Sequence, residues 1–141
     1  MRNAAAGNRI TMPVYHDGAL FYLGDLHASQ GDTECTVTAA ETCSTVRLHL
    51  KLIKKKKLPF LRIEKPDALV AVGTARPLKV AVNIATQYLM AWLVDEFGFT
   101  PTDAHCLVST YPDFRIKVYQ MCNIAQLSYL ADAEIPRKYL P

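Results

Sequence analysis

The chain has 141 residues, half of them hydrophobic and 21% charged, with a formal net charge of +3. This is globular rather than disordered composition, and the length suits one domain with a real core. No apolar run is long enough to span a membrane, and the opening MRNAAAGNR lacks the apolar centre of a secretory signal, so a cytoplasmic protein with reduced thiols is expected.

The first half reads as β. Ile10–Tyr15 (ITMPVY) contains Pro13 and suits an edge or a bulge, and His16-Asp17-Gly18 is a turn signal. Ala19–Leu23 (ALFYL) is a compact apolar strand candidate that Gly24 ends. Glu34–Glu41 (ECTVTAAE) and Ser44–Ile53 (STVRLHLKLI) follow. In the second, Val46, Leu48, Leu50 and Leu52 face one way and Arg47, His49 and Lys51 the other, which predicts a half-buried strand with a wet outer face. Lys54–Lys57 has no interleaved aromatics and reads as a solvated hairpin loop, so no nucleic-acid partner is expected. Phe60–Lys65 and Ala68–Gly73 are further strands, split by Pro66-Asp67.

The period then changes. Leu78, Ala81, Ala85, Tyr88, Leu89, Trp92, Leu93 and Phe97 recur at helical spacing, with Pro77 at the start and Gly98 as the stop. This stripe is core packing. Thr100, Pro101 and Asp103 open a second helix as N-cap, N1 and N3. Asp113–Gln120 alternates again, with Phe114, Ile116 and Val118 on one face. The last segment, SYLADAEIPRKYLP, reads as a short helix or an arm on a neighbour. The architecture is α+β within a single domain, 1–141: antiparallel and β-rich, sandwich-like, over 1–75, then two helices and a returning strand over 76–141.

One stretch is dense in polar groups. Asp25, His27, Gln30, Asp32 and Glu34 crowd directly behind the ALFYL run, and Glu41 follows VTAA where an apolar residue is expected. Asp25 and His27 are two apart, so in an extended segment they share a side. A carboxylate and an imidazole there are natural ligands for zinc or another divalent ion, and Gly24 and Gly31 let Asp32 swing back to the same point. A carboxylate on an apolar strand calls for a partner such as a metal or a cation. The same residue types are ordinary turn formers, and on spacing alone the turn reading stands ahead of the metal site. His16 and His49 read as turn and outer-face residues, and His105 as exposed or capped on its helix. Of the four cysteines none forms a CxxC pair; Cys106 and Cys122 are expected to pack as small hydrophobes, and Cys35, with no base placed for it, as a buried structural cysteine.

MPVYHDGALFYLGDLHASQGDTE resembles the signature of the acetamidase/formamidase family, a PV strand followed by GALF-x-x-GD-x-H-A-x-QGD-x-E. Pro13-Val14, Gly18 to Phe21, Gly24-Asp25, His27-Ala28, Gln30 to Asp32 and Glu34 match it, Ala39-Ala40-Glu41 resembles the strand end that follows, and the later helices also fit. The resemblance implies hydrolysis of formamide or short linear amides to carboxylate and ammonia, a homodimer, and a divalent metal, zinc foremost with calcium or another ion open. It implies Asp25, His27 and Asp32 as metal positions, and Asp32, Glu34, Gln30 and Glu41 as catalytic ones. It also places the chain over the C-terminal half of the family's usual length, with a β region and a GGN-type segment expected ahead of Met1. Two readings follow: an amidase, or the part of one that carries the site; or a non-catalytic module that self-associates or completes a partner subunit. A third, a thiol amidase using Cys35, stays open.

Overall fold

The computed structural model describes every residue except Asn123 and Ala125. In chain order the elements are β1 (Arg9–Thr11), β2 (His27–Ser29), β3 (Ala40–Glu41), β4 (Arg62–Glu64), β5 (Ala68–Ala75), α1 (Leu78–Phe97), α2 (Pro101–Thr110), β6 (Arg115–Gln120), β7 (Tyr129–Pro136) and a short 3-10 turn, Arg137–Tyr139. Five strands form one antiparallel sheet in the order β1-β4-β5-β7-β6, and β2 and β3 form a separate two-stranded ribbon. The antiparallel strands, two helices and returning C-terminal strand are the expected α+β arrangement.

The middle strand shows why the sheet has two different faces. Residues of β5 alternate in direction, so Leu69 and Ala71 join the cluster with Ala85, Leu89, Trp92 and Leu93 of α1, while Val70 and Val72 pack with Ile63 on the opposite side. Met1, Leu61 and Leu130 cover that second side. Both faces are thus buried, which is why ALVAVG reads as a continuous apolar run rather than an alternating one. Gly73 allows α1 to lie close: a Cβ there would sit 2.2 Å from the Ala81 carbonyl oxygen and 2.6 Å from the Ala85 amide nitrogen.

The helices follow the predicted stripe. Ala81, Ala85, Leu89, Trp92 and Leu93 of α1 are buried, and Gly98 closes it in the left-handed conformation, its N–H donating to the Leu93 carbonyl. Thr100 caps α2 by accepting from the Asp103 amide at 3.1 Å. Where Trp92 meets the sheet, the Arg62 guanidinium lies 4.7 Å from the Phe60 ring centroid and 4.8 Å from that of Trp92, and it donates to Glu96 at 2.5 Å. Burial works against the Glu96 charge, but hydrogen bonds from Lys56, Trp92 and Arg62 hold its carboxyl down at about 2.

Several expectations are corrected. Ala19–Leu23 is not a strand: Ala19 and Leu20 have φ of 58° and 49°, outside the extended region. Ser44–Ile53 forms no strand and is exposed along its whole length, and Glu34–Glu41 contributes only its last two residues. The C-terminal segment is neither helix nor arm. It supplies β7, paired along its length with β5 and flanked by β6; both of its faces are covered, and its small residues gave the alternation little hydrophobic signal. Finally, Cys35 and Cys106 are exposed, whereas Cys122 is buried as expected.

Candidate functional site

The polar cluster begins where the chain twists out of extended geometry. Asp25 has φ of 59°, in the left-handed region that Asp tolerates better than most side chains. This turn, rather than a shared strand face, swings its carboxylate onto the imidazole two residues on: Asp25 Oδ1 lies 3.1 Å from His27 Nε2. The ribbon supplies a third group. His27 and Glu41 are direct Cα partners across β2 and β3, and Glu41 Oε1 lies 3.3 Å from the same nitrogen.

Asp25, His27 and Glu41 thereby present one donor atom each, all within 4.8 Å of one another. Their exposure is graded: the imidazole is 9% exposed, against 62% for Glu41 and 83% for Asp25. The nitrogen forms the floor and the two carboxylates the rim of a site open to solvent. Tetrahedral zinc with bonds of about 2.0–2.1 Å separates neighbouring ligand atoms by about 3.3–3.4 Å. The two distances from Nε2, 3.1 and 3.3 Å, match that edge length, and one nitrogen with two carboxylate oxygens is a donor set of the right chemistry for a divalent ion. Three protein donors leave a fourth position free.

The other expected site residues lie apart from these three. Asp32 is ion-paired with Arg2. The Gln30 side chain has both ends engaged: its oxygen accepts from the Met1 ammonium at 2.9 Å, and its amide nitrogen donates to Glu34 Oε2 at 3.0 Å and to the Tyr119 carbonyl at 3.1 Å. Backbone bonds strengthen the attachment, with Thr33 N–H donating to Val118 and Met121 N–H to Thr33, both at 2.7 Å. The Gln30–Glu34 segment is therefore a strap that ties the ribbon to β6 and to the N-terminus. Glu41, expected among the catalytic carboxylates, stands beside the imidazole, and Asp32, expected in both roles, does not.

Sequence reasoning missed a buried polar group beneath this strap. Asp132 on β7 is fully buried. Its Oδ2 accepts from the Tyr119 hydroxyl and, at 3.1 Å, from the Asn3 amide, and its Oδ1 accepts from the Lys117 N–H at 3.1 Å. Burial pushes its carboxyl up to about 6, against the opposing pull of the Tyr119 hydrogen bond and the Lys117 charge. Burial and the Asp132 partnership also raise the Tyr119 phenol above its ordinary range. Glu134, two residues on, is opposed by burial but held below its usual range by Lys117 at 2.6 Å and Lys65 at 3.1 Å. The available signal was an acid inside a strand-length run of small and apolar residues, YLADAEIP, the reasoning applied only to Glu41.

Comparison with known proteins gives these features a context. Residues 1–130 match the family described as "Acetamidase/Formamidase family". A 55-residue stretch is 42% identical to the acetamidase of Mycolicibacterium smegmatis, covering 38% of this chain and 14% of that protein. The solved acetamidase of Yersinia enterocolitica superposes with a TM-score of 0.86 at 33% identity, covering 94% of this chain and 38% of that one. A 66-residue stretch is also 41% identical to the small ribosomal subunit protein bS16 of Mycoplasma capricolum, but it covers only 41% of this chain and 59% of that protein. The chain spans well under half the length of the two acetamidases it matches.

Proposed function

The chain belongs to the acetamidase/formamidase family, and from that premise we propose that it carries the metal-binding part of a hydrolase site for the C–N bond of short linear amides such as formamide and acetamide. The convergence of Asp25, His27 and Glu41 on one point carries this reading. These three side chains would hold a divalent ion, zinc by the fit of the donor set. When bound, such an ion makes a coordinated water more acidic and polarises a carbonyl.

The chain's own groups have separable tasks. His27, shielded from solvent, fixes the floor of the site. For Nε2 to act as a ligand, the imidazole proton must sit on Nδ1. Asp25 and Glu41 lie at the solvent side, where a small amide arrives, and a carboxylate oxygen of either that is not engaged as a ligand can accept the proton of the attacking water. As the water oxygen bonds to the amide carbon, the C–N bond breaks and the nitrogen leaves as ammonia, taking up that proton. Gln30 acts at one remove. Its three hydrogen bonds hold the strap in place, which makes it a positioning residue.

Elemental analysis of the purified chain, with zinc titration of the metal-stripped form, tests the assignment. The expected result is close to one divalent ion per chain. His27→Ala and Glu41→Gln should each weaken binding by more than the roughly 10–100-fold typical of losing an outer-shell partner. Asp32→Asn should leave it intact. Metal that survives Glu41→Gln but is lost in Asp32→Asn overturns the geometry proposed. Ammonia release from formamide, abolished by chelation and restored by zinc, is the matching activity assay.

A further inference from the structure

β2 ends at Ser29 and β3 begins at Ala40, so residues 30–39 are the covalent link between the strands that set His27 beside Glu41. Three residues of this link lie where L side chains rarely go: Thr33, Glu34 and Val37 have φ of 71°, 44° and 63°. Thr33 and Val37 are β-branched, for which this region is a genuine outlier. Burial does little to offset the strain at Val37, which is 41% exposed. Such conformations persist only where their surroundings over-determine them, and they gather at ligand clamps and switch segments.

The contacts that hold the link are mostly polar. Thr33 donates its N–H to the Val118 carbonyl and accepts from the Met121 N–H, both at 2.7 Å. Val37 N–H donates to the Glu34 carbonyl at 2.9 Å, and Gln30 Nε2 donates to Glu34 Oε2 at 3.0 Å. Residues 35–38 are exposed, so little apolar burial stands behind these bonds. Segments of this kind open locally at a small fraction of the global unfolding free energy. Opening relieves the left-handed residues, and it also frees β3 to leave a register with β2 that rests on two paired positions. A divalent ion held by Asp25, His27 and Glu41 needs that register, because Glu41 meets the imidazole only through it.

We propose that the 30–39 strap exchanges between a docked and a released form, and that a divalent ion selects the docked one by drawing His27 and Glu41 together. Strap docking and metal affinity are then coupled, each changing the other by the same factor. The inference rests on the metal reading of the three donors. It adds a control on their affinity that lies in the backbone of the strap rather than in any ligand.

Amide hydrogen exchange of the metal-stripped chain, without and with zinc, reads docking at the Thr33 and Met121 amides, and zinc titration reads affinity. Without zinc, both amides should exchange much faster than those of Leu89 and Leu93 in α1. Zinc at about a hundred times its Kd should slow them at least about tenfold, towards the hundredfold limit set by binding to the docked form alone. Thr33→Pro removes the donor and forbids the positive φ. It should weaken zinc binding at least about tenfold while the α1 amides stay protected, although no donor to the metal has changed. Val37→Gly relaxes the strap, and should slow exchange at Thr33 and Met121 about threefold in the metal-stripped chain. Zinc that binds the unaltered chain without slowing these amides, or that binds Thr33→Pro as tightly, overturns the coupling and leaves the metal reading standing. Zinc that does not bind the unaltered chain overturns both.

Discussion

Lowering the pH from 7 to 5 should make this protein more stable, and Asp132 should be the reason. Its carboxyl is raised from an ordinary 3.8 to about 6 by burial. The folded state therefore binds a proton in a range where the unfolded chain has released it, and stability must fall as pH rises through about 6. With these two values the gain in unfolding free energy between pH 7 and pH 5 is about 1.3 kcal/mol. The acids shifted the other way do not interfere. Glu96 and Glu134 are held below their ordinary 4.5, so their contribution is present throughout this window and is lost only at lower pH. Urea unfolding of the metal-stripped chain at the two pH values measures the difference through the midpoint at constant slope. Asp132→Asn is the control. Its amide cannot accept from Tyr119, Asn3 and the Lys117 N–H together, so its absolute stability shifts for reasons of hydrogen bonding as well as charge. The diagnostic quantity is consequently the pH slope, which the variant should lose. A wild-type chain equally or more stable at pH 7, or an Asp132→Asn chain that keeps the slope, refutes the argument.

Two further substitutions test the packing that carries the site. Gly73→Ala drives a methyl into the α1 backbone at 2.2 Å from the Ala81 oxygen. Neither side of that contact is a flexible side chain, so the cost should reach the upper end of the overpacking range, about 3 kcal/mol, and lower Tm by roughly 10 °C in a thermal melt. Thr100→Ala removes the α2 cap, in which Thr100 accepts from the Asp103 amide and donates to its carboxylate at 2.7 Å. It should cost about 1 kcal/mol in denaturant unfolding, and replacement by Ser should recover most of it.

What was legible in the sequence follows from what covers each segment. The two helices were readable because one stripe of α1 meets the sheet and the rest meets solvent, and because Thr100, Pro101 and Gly98 punctuate the chain with residues whose backbone chemistry is specific. β7 was not readable. Ala131, Ala133 and Ile135 face the same side as their β5 partners beneath the helices, while Asp132 and Glu134 enter a buried polar cluster; the alternation is present in ADAEI, but its alanines carry little hydrophobic signal and its acids read as solvent-facing. Ser44–Ile53 failed in the opposite sense: the strand pattern is clear, but the chain offers it no sheet. The cluster was located from its residue types, yet its membership was misjudged, because spacing cannot show that Asp25 adopts a left-handed backbone or that the β2–β3 register sets Glu41 against His27. Nor could spacing give Asp32 to Arg2, thirty residues away.

The ribbon that holds the donors is too small to hold itself. Two strands with only two paired positions, His27 with Glu41 and Ser29 with Ala40, interrupted by an irregularity, cannot fix side chains to the precision that a three-donor site needs. The rigidity has to come from elsewhere, and the contacts show where. Leu26 accepts from the Thr42 amide at the base of the ribbon, Thr33 exchanges backbone bonds with the end of β6, and Gln30 joins Glu34, the Tyr119 carbonyl and the N-terminal ammonium. Tyr119 is itself pinned by Asp132 and Asn3. A continuous set of polar contacts thus runs from the buried centre of the sheet to the strap, which follows directly on β2 in the chain. This accounts for two features that otherwise look unrelated: an acid buried at a cost in stability, and a glutamine of the signature whose amide is engaged by the protein at both its oxygen and its nitrogen. On the proposed reading both support the site, whose carboxylates stand at its solvent-facing rim.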